Sequence, residues 1–379
     1  MMKTVNDIPQ GELKGKRVLV RTDLNLPLDA AGEVSNLFRA KRGWQTIQYL
    51  SEKGAKVILL SHIGNDIEDS MAPVARAMKK HFSLFYVPDI VGNAAREAIA
   101  EMKEGDVLLL ENIRRDPREK KNDESLAKEL ASLADIYVND SFAVDHRVHA
   151  SLVSVPKFMP SYAGLLVEEE LEVLRKARTP TRPSFAILGG AKFETKAPLI
   201  KLLLQTYDHV FITGALANDV FKARGLPVGR SRISAQLPEK EVLSHPGFLA
   251  PVDVVVERED GQAQTKKPEQ VEDGDKIVDI GPDSLALIAP YIEKANFILW
   301  NGPTGLYEDG YTSWTHAVAA LTAKRFADGA SVVIGGGDTI AAIEGAGIKQ
   351  ENLGFLSTGG GAMLEYLLKG TLPAIEALG

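Results

Sequence analysis

The sequence predicts an α/β protein in which mainly parallel sheets carry helices on both faces. Three observations predict it. Short apolar runs recur along the chain, and stretches with amphipathic helical spacing separate them. The runs are apolar almost throughout rather than alternating, as strands covered on both faces are. At 379 residues the chain also exceeds one ordinary core, so two domains are expected.

The elements follow in order. RVLVRTDL (17–24) reads as the first strand, RGWQTIQYLSEKG (42–54) as a helix ending at glycine, and AKVILLSH (55–62) as the second strand. VLLLEN (107–112), the helix ESLAKELASLAD (124–135) and the strand IYVNDSF (136–142) continue the first half. KFMPSYAG (157–164) is loop-like. LLVEEELEVLRKAR (165–178) is a charged helix, and TPTRP (179–183) stops it, because proline lacks the backbone donor and clashes with the preceding turn. A domain boundary is therefore expected near 155–185. FAILGG (185–190), HVFITG (209–214), ANFILWNG (295–302) and SVVIGGG (331–337) are the strands of the second half. The polar, turn-rich segment 257–272 reads as an exposed hairpin or loop.

Composition excludes several chemistries. There is no cysteine, hence no disulfide, thiolate metal site or cysteine nucleophile. A formal charge of −7 argues against a nucleic-acid partner, although a local basic cleft can still focus a field on a small anion. No apolar run approaches the roughly 18–20 residues that cross a bilayer. The first residues lack the apolar core of a secretory signal, so a cytoplasmic protein with no membrane partner is expected.

Glycine clusters close the strands of the second half: LGGAK (188–192), ITGA (212–215), WNGPTG (300–305), IGGGD (334–338) and STGGGA (357–362). In an open parallel sheet, ligands bind beyond the carboxyl ends of the strands. Bare backbone there offers N–H donors to oxyanions, and a following helix adds its own unsatisfied donors. The expectation is that polyphosphate oxygens lie against the main chain. Asp338 suits a hard cation such as Mg²⁺, which takes one or two carboxylates; it also suits a helix N-cap. Neither common nucleotide fingerprint, G-x-x-x-x-G-K-[ST] or strand-borne G-x-G-x-x-G, is present.

The strand ends of the first half carry charge instead. VRTDLNLP supplies Asp23 and Asn25, LSHIG supplies His62, LENIRR supplies Arg114 and Arg115, and HRVHAS supplies His146, Arg147 and His149, while Arg39 precedes a helix. Arginine's planar fork suits carboxylate and phosphate, so this set predicts an anionic-substrate site. His62 also reads as a satisfied core histidine, and Arg118, Lys120 and Lys121 read as surface charge.

RVLVRTDLNLPLD, LLLENIRRDPREKKNDESLAKELASLADIYVNDSF, HRVHAS, ILGGAK, WNGPTGLYE, IGGGDTIAA and STGGGAMLEYL, in this order from about residue 10 onward, resemble the phosphoglycerate kinase family. The resemblance implies two Rossmann-like lobes of similar size joined by a hinge helix. Residues 1–164, with a tail of about 366–379, would form the acid-substrate lobe, 165–178 the interdomain helix and 179–365 the nucleotide lobe. It implies reversible Mg²⁺-dependent phosphoryl transfer between ATP and the carboxylate of 3-phosphoglycerate, giving 1,3-bisphosphoglycerate and ADP in glycolysis and gluconeogenesis. The enzyme would be a hinge-bending cytoplasmic monomer with small-molecule partners.

By the same resemblance, Asp23, Asn25, Arg39, His62, Arg114 and Arg147 match the acid-substrate site, with Asn65 at a position where the family has arginine. Gly189, Gly190, Lys192, Lys196, Gly214, Asn301, Pro303, Glu308, Gly335, Gly336, Gly337, Asp338 and Thr339 match nucleotide positions, Asp338 also as metal ligand. Gly359, Gly360 and Gly361 match the phosphoryl-transfer loop. Arg39, Lys192, Lys196, Gly336 and Gly359 would be catalytic. A carboxylate nucleophile needs no general base, which fits a site of cations and bare backbone.

Departures gather in the first half. SHIGNDIEDS (61–70) stands where the family has SHLGRP, IRRD (113–116) where it has L-R-F-[HN], and FAVDHR (142–147) where it has FGTAHR. TGALA (213–217) replaces a glycine triplet. Either Arg115 or Arg42 replaces the charge missing at Asn65, or the chain is a paralogue that phosphorylates a different carboxylate.

Overall fold

The computed structural model describes residues 2–379. The chain divides into two compact units. One comprises the residues up to Glu172 together with Thr371–Gly379, and the other comprises Val173–Gly370.

In the first unit, β1 (Arg17–Thr22), β2 (Lys56–Leu60), β3 (Phe85–Tyr86), β4 (Val107–Leu109), β5 (Ile136–Asp140) and β6 (Ser161–Ala163) form one sheet of order β3-β4-β2-β1-β5-β6. Every pairing is parallel. Helices α1 (Phe38–Glu52), α2 (Ala72–Lys79), α3 (Asn93–Glu101) and α4 (Glu124–Ala131) connect the strands. Val18, Val20, Val57, Leu59, Val107, Leu109, Ile136 and Val138 bring one face of the sheet into a core with Ile47 and Leu50 of α1 and Val74 and Met78 of α2. Helix α4 starts where sequence says it should: Asp123 caps it, accepting from Ser125 N at 2.7 Å. Arg21 pairs in register with Leu60 and Asn139, so the ends of β1, β2 and β5 lie side by side. That alignment positions the cationic site.

Helix α5 (Leu165–Arg178) contains the boundary between the units. In the second unit, β7 (Ser184–Leu188), α6 (Phe193–Thr206), β8 (His209–Ile212), α7 (Ala215–Ala223), α8 (Lys240–Leu243) and β9 (Phe248–Leu249) come first. They are followed by β10 (Val254–Glu257), β11 (Ala263–Lys266), β12 (Lys276–Ile280), α9 (Pro282–Lys294) and β13 (Phe297–Asn301). The unit ends with α10 (Ser313–Ala327), β14 (Ser331–Gly335), α11 (Gly337–Glu344), β15 (Phe355–Ser357) and α12 (Gly360–Lys369). Its main sheet is parallel, in the order β15-β14-β13-β7-β8-β9. Asn301 pairs with Leu188 on one side and Gly335 on the other, which aligns three glycine-bearing strand ends.

Segment 257–272 is a hairpin. It pairs β10 with β11, and β12 adds an antiparallel third strand on the other side of β10. Val254, Val256 and Val271 pack this small sheet against Ala217 and Phe221 of α7. The chain then returns to the first unit, where α13 (Pro373–Ala377) places Ala374 against Val144 and Leu152.

Candidate active site

The cationic site of the first unit is built on a residue that sequence reading passed over, Arg21. It is 1% exposed at the end of the central strand. Its Nε donates to Ser151 Oγ at 3.0 Å, Nη1 to the Thr22 carbonyl at 2.6 Å, and Nη2 to His62 Nδ1 at 3.1 Å. A guanidinium only donates, so Nδ1 of His62 is the acceptor and its ring proton sits on Nε2. Burial first, and then the charges of Arg21, Arg114, Arg147 and Arg39, hold the His62 pKa well below its ordinary value. The ring is thus a buried, bonded histidine and a member of the cationic cluster at once. Ser151 in turn donates from Oγ to Glu119 Oε1 at 2.6 Å and from its backbone N to Oε2 at 2.9 Å, which anchors the fully buried Glu119.

Around this frame the structure brings together the expected acid-site residues. Asp23 accepts from Asn25 N at 3.2 Å and forms an ion pair with Arg39 Nη1, also at 3.2 Å. The pair is not aligned as a hydrogen bond, so Asp23 Oδ2 stays without one. Arg39 Nη1 donates to the Asn25 carbonyl at 3.3 Å, and Asn25 Oδ1 accepts from Gly64 N at 3.0 Å. Arg114 donates from Nη1 to the Gly64 carbonyl and to Asn65 Oδ1, the latter at 2.9 Å. Burial, with Arg147 and Arg21 behind it, brings the Arg114 pKa down to about 10. Arg147 is half-buried, its backbone N donates to the Val144 carbonyl at 2.9 Å, and its guanidinium has no hydrogen-bond or ion-pair partner among the described residues. Cations crowded until they depress one another, one of them lacking any carboxylate, form a preorganised seat for an anion.

The departures resolve individually. Arg115 is paired with Glu111 at 3.3 Å and Arg42 with Glu169 at 3.0 Å, so neither is an uncommitted cation. Asp145 faces inward, accepting from Asn139 Nδ2 at 2.8 Å, and burial pushes its pKa up to about 7.

In the second unit the aligned strand ends line a cavity of about 480 Å³. Gly190, Gly214, Pro303, Glu308 and Asp338 lie on its wall, together with Asp279. The three glycines of the 335–337 run differ in role. A Cβ on Gly335 would stand 2.4 Å from the Met363 sulfur, so this glycine makes room for packing. Gly336 holds a φ of +99° and caps α11. Gly337 alone of the three opens on free space and leaves its main chain bare. The N-cap expected at Asp338 is thus Gly336, and Asp338 lies inside the first turn, exposed, accepting from Tyr307 OH at 3.3 Å.

Two predicted nucleotide residues have side-chain groups committed to the frame. Thr339 Oγ1 donates to the Gly335 carbonyl at 2.9 Å and accepts from Gly302 N at 2.7 Å. Asn301 Nδ2 donates to the Gly335 carbonyl at 2.9 Å, while its own carbonyl accepts from Gly189 N at 2.7 Å. Lys196 Nζ donates to the Gly189 carbonyl at 2.8 Å, and burial lowers its pKa. Lys192 is exposed, with backbone φ +65°. Gly359 caps α12, and a Cβ on Gly360 would reach 3.0 Å from Gly336 Cα, so the second glycine triplet backs onto the first; Gly361 follows within α12. Among the described residues no cluster of three metal-ligating side chains occurs. One exposed carboxylate beside open main chain fits a hard cation that arrives on substrate phosphates.

A model of the phosphoglycerate kinase family matches residues 5–370. The phosphoglycerate kinase of Microcystis aeruginosa is 40% identical, with 99% of this chain and 98% of that protein covered. The phosphoglycerate kinase of Pelotomaculum thermopropionicum is 42% identical over the same shares. Among solved structures, phosphoglycerate kinase from Coxiella burnetii superposes with a TM-score of 0.81 at 34% identity, covering 100% of this chain and 99% of that one. Phosphoglycerate kinase from Pyrococcus horikoshii gives 0.85 at 30% identity, covering 100% and 98%.

Proposed function

The chain belongs to the phosphoglycerate kinase family, and from that premise we propose that it catalyses reversible phosphoryl transfer between ATP and the carboxylate of 3-phosphoglycerate. The products are 1,3-bisphosphoglycerate and ADP. The observation that carries the reading is the unpaired Arg147 beside Arg114, Arg39 and a neutral His62, a seat for a small multivalent anion in the first unit.

In the proposed reaction a carboxylate oxygen of the acid attacks the terminal phosphorus of ATP as the bond to ADP breaks. No proton has to be removed from the nucleophile. Asp23 and Asn25 hold Arg39 toward the acid, Arg114 and Arg147 bind its phosphate, and His62 donates from Nε2. Gly337 and the backbone of Gly189, Gly190 and Gly214 bind the nucleotide, with Asn301, Pro303, Glu308 and Thr339 shaping its site. Arg39, Lys192, Lys196 and the loops at Gly336 and Gly359–Gly361 stabilise the equatorial oxygens of the transferring group. Mg²⁺, held by Asp338, would neutralise phosphate charge when bound. The acyl phosphate has to be shielded from water as it forms, so closure around both ligands belongs to the proposal. The enzyme would act as a cytoplasmic monomer; no described helix is long and apolar enough to cross a membrane.

A coupled assay of ATP turnover against 3-phosphoglycerate and a panel of related acids tests the reading. Highest kcat/KM with 3-phosphoglycerate is expected. Turnover of another acid with none of 3-phosphoglycerate overturns it.

A further inference from the structure

We infer that Lys120 supplies the mobile positive charge at the phosphate end of the acid site, next to the uncharged Asn65. The inference rests on the functional reading above. Its ammonium donates to the Asn65 carbonyl at 3.1 Å, on the residue whose side chain accepts from Arg114. Lys120 is exposed and has no carboxylate partner among the described residues, in contrast with Arg115 and Arg42, which are paired with Glu111 and Glu169.

The position is also held firmly. The preceding residue, Glu119, is fully buried, bonded through Ser151 to Arg21, and its carbonyl accepts from Ala150 N at 3.0 Å. A surface lysine on this anchor has a fixed backbone and a head held by the Asn65 carbonyl alone among the described residues. Its charge reaches the cluster: burial first, then Arg147, Arg114, Arg21 and Lys120, push the His149 pKa down to about 4.

Of the cations here, Arg39 faces Asp23, and Nη1 of Arg114 is taken by Gly64 and Asn65. Arg147 and Lys120, which have no carboxylate partner among the described residues, join the remaining donors of Arg114 in meeting a phosphate dianion. The Asn65 carbonyl is a weak partner that an arriving phosphate oxygen displaces.

The test is calorimetric titration of the full chain with 3-phosphoglycerate, and ³¹P line-broadening with inorganic phosphate as a second probe. Lys120→Met is expected to raise Kd for 3-phosphoglycerate about fivefold, the modest effect of a solvent-exposed charge. Lys120→Arg should restore it to within about twofold, and added salt should narrow the gap between wild type and Lys120→Met. Wild type that binds 3-phosphoglycerate no better than Lys120→Met does overturns this inference alone. Wild type that binds phosphate but not 3-phosphoglycerate, with phosphate binding weakened in Lys120→Met, overturns the substrate assignment and leaves the charge site standing. Binding of neither probe overturns both.

Discussion

Lys192 is the residue at which backbone and chemistry pull in opposite directions. Its φ of +65° and ψ of +77° lie in left-handed space, which costs a residue with a side chain about 1–2 kcal/mol. Its exposed side chain has no hydrogen-bond or ion-pair partner among the described residues that would repay this, which is the pattern of a functional residue held under strain. Lys192→Ala is expected to cut kcat by roughly 10²–10³, the scale of one lost oxyanion donor. Lys192→Gly should show the same loss while its melting temperature stays level or rises, because glycine adopts this backbone freely. Near-wild-type turnover in both variants would remove Lys192 from the mechanism. At this scale the sequence was partly readable. Asp23, Arg39 and His62 stand at strand ends where charge is conspicuous, but Arg21 sits inside an apolar run and reads as a strand residue until its three donors are traced. Lys120 in PREKKND is indistinguishable from solvated charge in one dimension, because only the fold brings residue 65 to it.

Among the elements, the glycine-rich exits of β13 and β14 make a separable prediction. Gly337→Ala adds a methyl group to open space at the first turn of α11, where alanine is the better helix former. The variant should keep its melting temperature and lose at least about tenfold in MgADP affinity by calorimetry, since the methyl occupies the space proposed for phosphate. Gly335→Ala instead forces the buried Met363 sideways, and overpacking of this kind costs about 1–3 kcal/mol. Its melting temperature should fall. The reverse ranking of the two would remove Gly337 from the phosphate seat. Long apolar strands such as SVVIG and FILWN could be read from composition because both faces are buried. The strands β3, β6, β9 and β15 could not be, since two or three residues carry no period. The division of labour within the glycine triplet was equally hidden, because Met363 is 28 positions from Gly335 in sequence.

For the molecule as a whole, three buried carboxyls give a pH response of one sign, and His62 and His149, held neutral in the fold, give the opposite one below the ordinary histidine value near 6.5. Burial pushes Asp140, Asp145 and Asp279 up to about 7. Between the ordinary carboxylate value near 4 and about 7, the folded chain holds protons that the unfolded chain has released. That stabilisation is complete below about 4 and is lost as pH rises through about 7. Above about pH 6.5, where the histidines are neutral folded or unfolded, the melting temperature should drop by roughly 5 °C up to pH 8, and Asp140→Asn should flatten part of the slope. A curve that climbs over this range, or an unchanged slope in the variant, would contradict the assignment. The return of the chain to the first unit gives a second prediction. Deleting Thr371–Gly379 uncovers Val144 and Leu152 and takes away Ala374 N, which donates to the Asp145 carbonyl at 3.1 Å, two residues from Arg147. KM for 3-phosphoglycerate should rise about tenfold, with MgADP affinity unmoved in calorimetry. A KM within twofold of the intact chain would separate the tail from the acid site. The same path has a consequence on the ribosome. The segment that docks onto Val144 is translated only after the whole of 173–370, so the unit begun first is finished last. A message cut short after codon 370 should yield a polypeptide that retains nucleotide and fails to capture the acid.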